Sequence, residues 1–265
     1  KAQLTELLTQ YGKIDGIWFD GHWDQLDNDH DKTLKSKVDW HYDEIYSLIH
    51  KLQPQALIGN NHHLSPLDGE DFQMFEKDIP GNNDSGLSGQ EVSHLPLETC
   101  ETINNAWGYN VTDTKYKSTT ELIQYLVKSA GNGANFLLNV GPMPDGTIQP
   151  EFVERLTTIG QWLGKYEETI RGTTKGFQNS NPNFAMTQKG KTVYLHLFKK
   201  TKDLSVKIPF EIASAIEFDT KNKIEELHLP GIDFIESYKR YYPNGDFASY
   251  IIGYAKQKEE YIEEN

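Results

Sequence analysis

Apolar residues along the first 170 positions follow two spacings, one typical of amphipathic helices and one typical of short buried strands. Leu4, Leu7 and Leu8 share one face of a helix that we predict over residues 1–10. Apolar runs predict strands at residues 14–19, 56–59, 99–105 and 135–140. Helical spacing predicts helices at residues 39–53, 118–129 and 150–163. Strands that alternate with helices are typical of a parallel α/β sheet.

The pattern changes beyond Gly172, where short strand signals are separated by turns. We predict strands at residues 192–198, 204–208, 215–218 and 224–229 and a charged terminal helix at 256–265. The predicted fold class is therefore α/β. A partial TIM-like (β/α) barrel over residues 1–172 is followed by a small antiparallel β-sandwich-like domain over 173–265. Residues 64–97 are rich in Gly, Pro, Asn and Asp and predict a long functional loop region.

Composition excludes several classes of protein. Lys and Arg total 26 against 39 Asp and Glu, so the net charge is −13. The one dense run of basic residues in the sequence is Lys199, Lys200 and Lys202. Such a short run argues against nucleic-acid or anionic-membrane partners. No run approaches the ~20 apolar residues of a membrane span, and no signal peptide opens the chain. Cys100 is the single cysteine, so the chain has no intramolecular disulfide.

Acidic residues at strand ends are the first candidates for chemistry. Asp20 ends an apolar strand in the sequence Ile-Trp-Phe-Asp-Gly-His-Trp, and Gly21 allows the backbone to turn away. In a parallel barrel the carboxyl ends of the strands face the active site, which favours a catalytic Asp20. The alternative is an Asp that only caps the loop between strand and helix.

Two further acidic segments follow. Residues 69–78 carry Glu70 and Glu76 among aromatic residues, although such a charged run is also typical of a solvated face. Residues 97–109 carry Glu98 and end at Trp107, whose indole either packs in the core or forms a platform for the apolar face of a sugar. The adjacent His62 and His63 lack a third ligand at zinc spacing, so we predict no metal site.

Four ordered motifs together resemble a known family. They are Ile-Trp-Phe-Asp-Gly at 17–21, Leu-Glu-Thr-Cys-Glu-Thr-Ile-Asn-Asn-Ala-Trp-Gly-Tyr-Asn at 97–110, Tyr-Lys-Ser at 116–118 and Asn-Phe-Leu-Leu-Asn-Val-Gly-Pro-Met-Pro-Asp-Gly at 135–146. This combination is similar to the retaining α-L-fucosidases of glycoside hydrolase family 29. The match covers residues 1–170 and extends more loosely to about 230.

The resemblance implies roles for individual residues. It makes Asp20 the nucleophile and places Trp18 in the sugar pocket, together with Trp107. Glu76 lies where similar members have the acid/base carboxyl, and a loop position suits a proton donor that must tolerate varied leaving groups. Glu98 is the alternative acid/base and otherwise binds the sugar or its neighbours. The last two residues assigned to the substrate, His62 and His63, stand where many relatives have an Arg.

The resemblance also implies a reaction, the absence of a cofactor and a location for the enzyme. The expected activity is hydrolysis of terminal α-L-fucosyl linkages in oligosaccharides or glycoconjugates, without a cofactor, by a secreted or periplasmic enzyme. Two carboxyls ~5 to 5.5 Å apart perform such a double displacement. We expect Trp18, Phe19, Phe72 and Phe75 to provide apolar surroundings for them. The alternative function is that of a non-catalytic carbohydrate-binding or structural fragment of such an enzyme.

Two departures from the family pattern affect these expectations. The N-terminal half of the barrel, with its His-rich substrate-binding segment, has no counterpart before Lys1. This absence leads us to expect that the chain pairs with a second copy as a homodimer, binds a complementing barrel segment, or is only marginally folded. Residues 232–265 also leave the pattern, and residues 240–255 resemble a segment that precedes the transpeptidase domain of class B penicillin-binding proteins. No Ser-x-x-Lys follows, so this second resemblance implies no catalysis.

Overall fold

The computed structural model describes residues 1–22, 38–177, 181–200, 218–228 and 234 of the 265-residue chain. The chain forms two compact units, Lys1–Pro209 and Phe210–Asn265. The first unit holds the parallel strands predicted from the sequence, together with an antiparallel sheet. The predicted domain boundary near Thr173 falls inside this first unit and stays a prediction.

Parallel strands form two sheets in the first unit. Strand β1 (Gly16–Phe19) pairs with β2 (Leu57–Asn60), and β3 (Gln73–Glu76), β4 (Leu97–Thr102) and β5 (Ala134–Asn139) form a second sheet in that order. The Asp71 amide donates a 2.8 Å hydrogen bond to the Ile58 carbonyl, so β2 and the segment leading to β3 run side by side. The observed class is therefore α/β with parallel strands, as predicted.

Four helices pack against one face of these strands, and no helix lies between β2, β3 and β4 in the described residues 61–96. They are α1 (Ala2–Gln10), α2 (Tyr42–Leu52), α3 (Thr119–Gly131) and α4 (Pro150–Tyr166). Each was predicted from helical spacing to within a few residues of its ends. One core cluster joins α1 and α2 to β2 and comprises Leu8, Tyr46, Ile49, Ala56 and Ile58. A second cluster joins α3 and α4 and comprises Ile103, Leu122, Phe152 and Ile159.

Alternation along the strands assigns each side chain to one of two faces. Phe19 packs in the first core cluster, whereas Trp18, its neighbour on β1, is 41% exposed. Phe75 on β3 is buried with Leu97 and Ala134. Phe19 and Phe75 therefore belong to the core face, and the expectation that they surround the catalytic carboxyls is wrong. The opposite face carries the side chains of the candidate site.

Helix α3 begins with a reciprocal cap, for which the Ser-x-x-Glu sequence at 118–121 is typical. Ser118 Oγ accepts a hydrogen bond from the Glu121 amide, and the Glu121 carboxylate accepts one from the Ser118 amide at 2.7 Å. Two backbone N–H groups and the hydroxyl thereby gain partners at the start of the helix.

Replacing Ser118 with alanine is expected to lower the free energy of unfolding by about 1 kcal/mol, because the Glu121 amide loses its acceptor. Urea denaturation followed by circular dichroism measures the change. Thr120→Ala, an exposed substitution in the same helical turn, is the control. Equal stability of the two variants would show that the cap contributes nothing.

An antiparallel sheet completes the first unit. Its strands are β6 (Thr174–Lys175), β7 (Phe184–Lys189) and β8 (Thr192–Leu197), in that order. The strand predicted at residues 192–198 is confirmed, whereas β6 and β7 were not predicted. The short helix Glu167–Thr169 precedes this sheet.

The second unit differs from the prediction where it is described. Helix α5 (Phe218–Glu225) and a turn to His228 replace the strand expected at residues 224–229, so that prediction is wrong. A polar run with a Lys221 to Glu225 ion pair at 3.6 Å, one helical turn apart, favours the helix. The strand predicted at 204–208, most of that at 215–218 and the terminal helix at 256–265 lie outside the described residues.

Candidate active site

Asp20 and Glu76 are brought together at the carboxyl ends of their strands. Asp20 directly follows β1, where Gly21 turns the backbone away with a φ of 85°. Asn61 follows β2, and the pairing of Phe19 with Asn60 places Asn61 at the level of Asp20. The Asn61 Nδ2 donates to Asp20 Oδ1 at 3.3 Å and to Glu76 Oε2 at 2.9 Å. One amide nitrogen therefore bridges the two carboxyls that the sequence selected.

Glu76 is the last residue of β3 and is held by two donors. His63 Nε2 donates to Glu76 Oε2 at 3.1 Å, next to the bond from Asn61. The His63 hydrogen bond is the largest influence on the carboxyl. With the bond from Asn61 and the charge of Lys77, it outweighs burial and holds the pKa of Glu76 below its ordinary value. Glu76 is therefore ionised in this arrangement.

The backbone on both sides of this contact adopts an uncommon conformation. His63 has a φ of 60°, and Lys77, the residue after Glu76, has a φ of 56°. Residues other than glycine rarely adopt the left-handed region, because their Cβ crowds the backbone there. Surrounding contacts must hold such residues in place, and strained positions of this kind cluster at functional sites.

Glu98 lies on β4 and binds the indole of Trp18 rather than the other carboxyls. Trp18 Nε1 donates to Glu98 Oε1 at 3.1 Å. Burial raises the pKa of Glu98 and outweighs that hydrogen bond. Cys100, two residues along the same strand face, has a pKa raised to about 12, first by burial and then by the charges of Glu76 and Glu98. Its thiol is therefore not a nucleophile.

Trp107 lies in the loop after β4, and the last residue of β5 and the segment that follows β5 contact the backbone of this loop. Asn139 Nδ2 donates to the Trp107 carbonyl at 2.6 Å. A Cβ added at Gly141 would lie 2.5 Å from the Gly108 carbonyl carbon, so this close approach requires glycine. Lys77 Nζ lies 5.4 Å from the centre of the exposed Trp107 ring, which links this loop to the end of β3.

His62 lies apart from the exposed face of the site. Its side chain is 2% exposed, and its Nε2 lies 2.8 Å from Glu70 Oε1. Its Nδ1 accepts a 3.0 Å hydrogen bond from the Leu64 amide. The sequence assigned His62 to the substrate, and that assignment stays a prediction, as do those of His63, Glu98, Trp18 and Trp107.

Several residues of this arrangement were not selected from the sequence. Asn61 bridges the carboxyls, Lys77 covers Trp107, and Asn139 fixes the Trp107 loop. Phe72, which the sequence did select, packs over Gly59, where an added Cβ would lie 2.2 Å from its ring. Asn61 had a weak local signal, since Asn60 and Asn61 come directly after the second predicted strand, as Asp20 comes directly after the first. The contacts of Lys77 and Asn139 join distant segments and have no local signal.

No cluster of three or more His, Cys, Asp or Glu side chains that could hold a metal ion occurs within the described residues. The helices described in the structure also include none that is long and apolar enough to cross a membrane.

Comparison with known proteins identifies relatives for most of the chain. A family model described as alpha-L-fucosidase matches residues 1–168. The alpha-L-fucosidase of Dictyostelium discoideum is 32% identical over 174 residues, which are 65% of this chain and 34% of that protein. The tissue alpha-L-fucosidase of Mus musculus is 29% identical over 202 residues, which are 74% of this chain and 39% of that protein.

Solved structures give a consistent result. Alpha-L-fucosidase isoenzyme 1 from Paenibacillus thiaminolyticus is similar with a TM-score of 0.58 and 31% identity, over 74% of this chain and 45% of that one. The alpha-L-fucosidase of Vibrio sp. strain EJY3 also has a TM-score of 0.58, with 27% identity, over 74% of this chain and 32% of that one.

A second family model, the penicillin-binding protein dimerisation domain, matches residues 104–265. It overlaps the first match between residues 104 and 168, which include the end of the acidic segment 97–109 together with α3, β5 and α4. The chain spans 34% and 39% of the length of the two curated fucosidases described above. Over residues 1–168, which include Asp20, Asn61, Glu76 and Glu98, the chain belongs to the alpha-L-fucosidase family.

Proposed function

We propose that the chain hydrolyses terminal α-L-fucosyl linkages in glycans by a retaining double displacement, with Asp20 as nucleophile and Glu76 as acid/base. The bridge through Asn61 is the observation that carries this proposal. Because Asp20 and Glu76 both bond to one nitrogen, at 3.3 and 2.9 Å, their bonded oxygens are separated by no more than those two distances combined. Such a spacing is compatible with the ~5 to 5.5 Å of retaining glycosidases.

The first step forms a covalent intermediate. The Asp20 carboxylate attacks the anomeric carbon while the Glu76 carboxyl gives its proton to the departing oxygen, so the glycosidic bond breaks as an ester bond to Asp20 forms. In the second step, the Glu76 carboxylate takes a proton from water, and the water oxygen replaces Asp20 at the anomeric carbon. Fucose leaves, and both carboxyls return to their starting states.

The pKa shifts of Glu98 and Glu76 favour Glu98 as the proton donor, whereas the geometry of the site favours Glu76. Burial favours a protonated Glu98, whereas His63 favours an ionised Glu76. We give the geometry more weight, because Glu76 shares Asn61 with the nucleophile while Glu98 is bonded to Trp18. A bound sugar excludes water from Glu76 and so raises its pKa for the first step. The hydrogen bond from His63 supports the ionised form that the second step needs.

We also propose that the five parallel strands are an arc of a TIM-like (β/α) barrel. Asp20, Asn61 and Glu76 stand at the carboxyl ends of three successive strands, which is where barrel enzymes place their catalytic residues. Trp18, Trp107 and Glu98 would then border a pocket for a terminal fucose on a glycan. The antiparallel strands β6 to β8 support the proposed β-sandwich-like domain.

A second candidate function is carbohydrate binding without turnover. It is favoured by the fact that the chain spans 34% and 39% of the two curated relatives, so it carries a correspondingly small share of an enzyme of their length. The exposed indoles of Trp18 and Trp107 could hold a sugar without a complete catalytic centre.

Hydrolysis of nitrophenyl α-L-fucoside separates the two candidate functions. We expect the chain to release nitrophenol above the level of its Asp20→Asn variant, because the nucleophile and the acid/base both lie in the first unit. Release equal to that variant, together with normal release by a longer form that carries further barrel strands, would favour the non-catalytic fragment.

A further inference from the structure

A buried polar cluster lies behind the end of β2, on the side away from the exposed face of the site. It joins Tyr46 of α2, Asn60 and His62 around the end of β2, and Glu70 before β3. All four residues are at most 7% exposed. Charged and polar groups this deeply buried cost free energy unless they are well paired. This cost indicates that the cluster has a role beyond packing.

The members of the cluster are connected through Glu70 and Tyr46. Glu70 Oε1 accepts hydrogen bonds from the Tyr46 hydroxyl at 3.0 Å and from His62 Nε2 at 2.8 Å. The Tyr46 hydroxyl in turn accepts from Asn60 Nδ2 at 2.8 Å. The cluster thus anchors the side chains of positions 60 and 62 to α2 and to the segment before β3.

The ring of His62 has a fixed orientation in this cluster. Its Nδ1 accepts a hydrogen bond from the Leu64 amide, so the ring proton is on Nε2 and is donated to Glu70. The ring therefore binds the backbone two residues ahead as well as the Glu70 carboxylate. His63, which lies between these two attachments, is held in its left-handed conformation.

We infer that Glu70 and His62 are positioning residues, which hold the segment from Asn60 to Leu64 so that Asn61 and His63 both bond to Glu76. Successive residues of the segment alternate between two sets of hydrogen bonds. Asn60 and His62 bond to the buried cluster, whereas Asn61 and His63 bond to Glu76. Loss of the anchor frees the segment to relax from the strained φ at His63, and both donors to Glu76 are then displaced.

Titration of the Glu76 carboxyl by carbon-13 NMR tests this inference without any turnover. The pKa of Glu76 in the folded chain is set by the His63 hydrogen bond, by burial, by the Asn61 hydrogen bond and by the charge of Lys77. Two further titratable groups are close to it, namely Cys100, its pairing partner on β4, and Asp20, on the far side of Asn61. The Glu76→Gln variant assigns the signal. The inference concerns the residue that we propose as acid/base, but the titration succeeds or fails independently of fucosidase activity.

We expect Glu70→Ala to raise the Glu76 midpoint towards the ordinary value for glutamate, because the displaced donors no longer favour the carboxylate. Glu70→Gln keeps an oxygen that accepts from His62 and should leave the midpoint as in the parent chain. His50→Gln is the matched control, since it removes another His–carboxylate pair, the 2.9 Å contact with Asp71, and leaves the segment anchored. An unchanged midpoint in folded Glu70→Ala would overturn the inference.

A second measurement covers the case in which Glu70→Ala does not fold. Long-range proton–nitrogen NMR of the parent chain reports which His62 nitrogen carries the proton. We expect the Nε2–H form. The Nδ1–H form would contradict the inference, because such a ring cannot accept from the Leu64 amide while donating to Glu70.

Discussion

Replacing Asp20 with asparagine is expected to remove fucoside hydrolysis, because an amide cannot form the ester intermediate. Replacing Glu76 with alanine should have a different effect. Only proton donation is lost, so hydrolysis of a substrate with a poor leaving group should fall by about 10²- to 10⁴-fold. A nitrophenyl fucoside should be affected less in its first step, because nitrophenolate leaves without a proton.

Rescue of the Glu76→Ala variant by azide tests the acid/base role of Glu76 directly. The anion occupies the space left by the carboxylate and attacks the fucosyl–Asp20 ester without needing a base. We therefore expect azide to accelerate nitrophenol release by Glu76→Ala and to yield a fucosyl azide with the configuration of the substrate. Asp20→Asn should show neither effect.

Glu98→Ala is the comparison that tests the assignment of the acid. In the structure Glu98 accepts from Trp18 Nε1, so its loss should disturb the indole and weaken substrate binding more than proton transfer. The KM should then rise more than kcat falls. Azide rescue of Glu98→Ala without rescue of Glu76→Ala would show that the two roles are reversed.

The purified chain is expected to self-associate in solution rather than to remain a monomer. In the part of the chain that the structure describes, β1 pairs with β2 alone and β5 pairs with β4 alone, so each has one edge without a strand. Unpaired backbone groups on such edges form hydrogen bonds with another chain unless proline or charge prevents it. The sequence Gly-Ile-Trp-Phe of β1 contains neither.

Exposed apolar side chains on these strands add to the expected association. Trp18, Leu57 and Leu137 are 41%, 54% and 39% exposed, although they lie on three strands of the parallel sheets. Burying them in an interface contributes roughly 25 cal/mol per Å² of apolar surface. A second copy of the chain, with the same edges, is the partner we expect.

Size-exclusion chromatography with light scattering measures the assembly, and a thermal melt at several concentrations reports its stability. A dimer or larger species, with a midpoint that rises with concentration, is the expected result. Trp18→Lys, which places a charge on the exposed face, should shift the population towards monomer. Thr120→Ala on the exposed surface of α3 should not. A monodisperse monomer with a sharp, concentration-independent transition would contradict the prediction.

Local patterns were sufficient for most of the parallel part of the fold. Helices α1 to α4 follow from apolar spacing, and the cap of α3 follows from Ser118 and Glu121 alone. Strand β3 was missed because Gln73–Glu76 is short and is surrounded by Gly, Asp and Pro, whose local signals predict a loop. Pairing with β4 supplies the hydrogen bonds that make it a strand, and no local window contains that partner.

Sequence patterns alone indicated the family of this chain, helices α1 to α4 and four of the five parallel strands, and they selected Asp20 and Glu76 as candidates. These features depend on neighbouring residues and on short motifs. The bridge from Asn61 to the two carboxyls, the contact of His63 rather than His62 with Glu76, and the core positions of Phe19 and Phe75 are seen only in the folded chain. Strand register and alternation fix those contacts, and they depend on segments that are far apart in the chain.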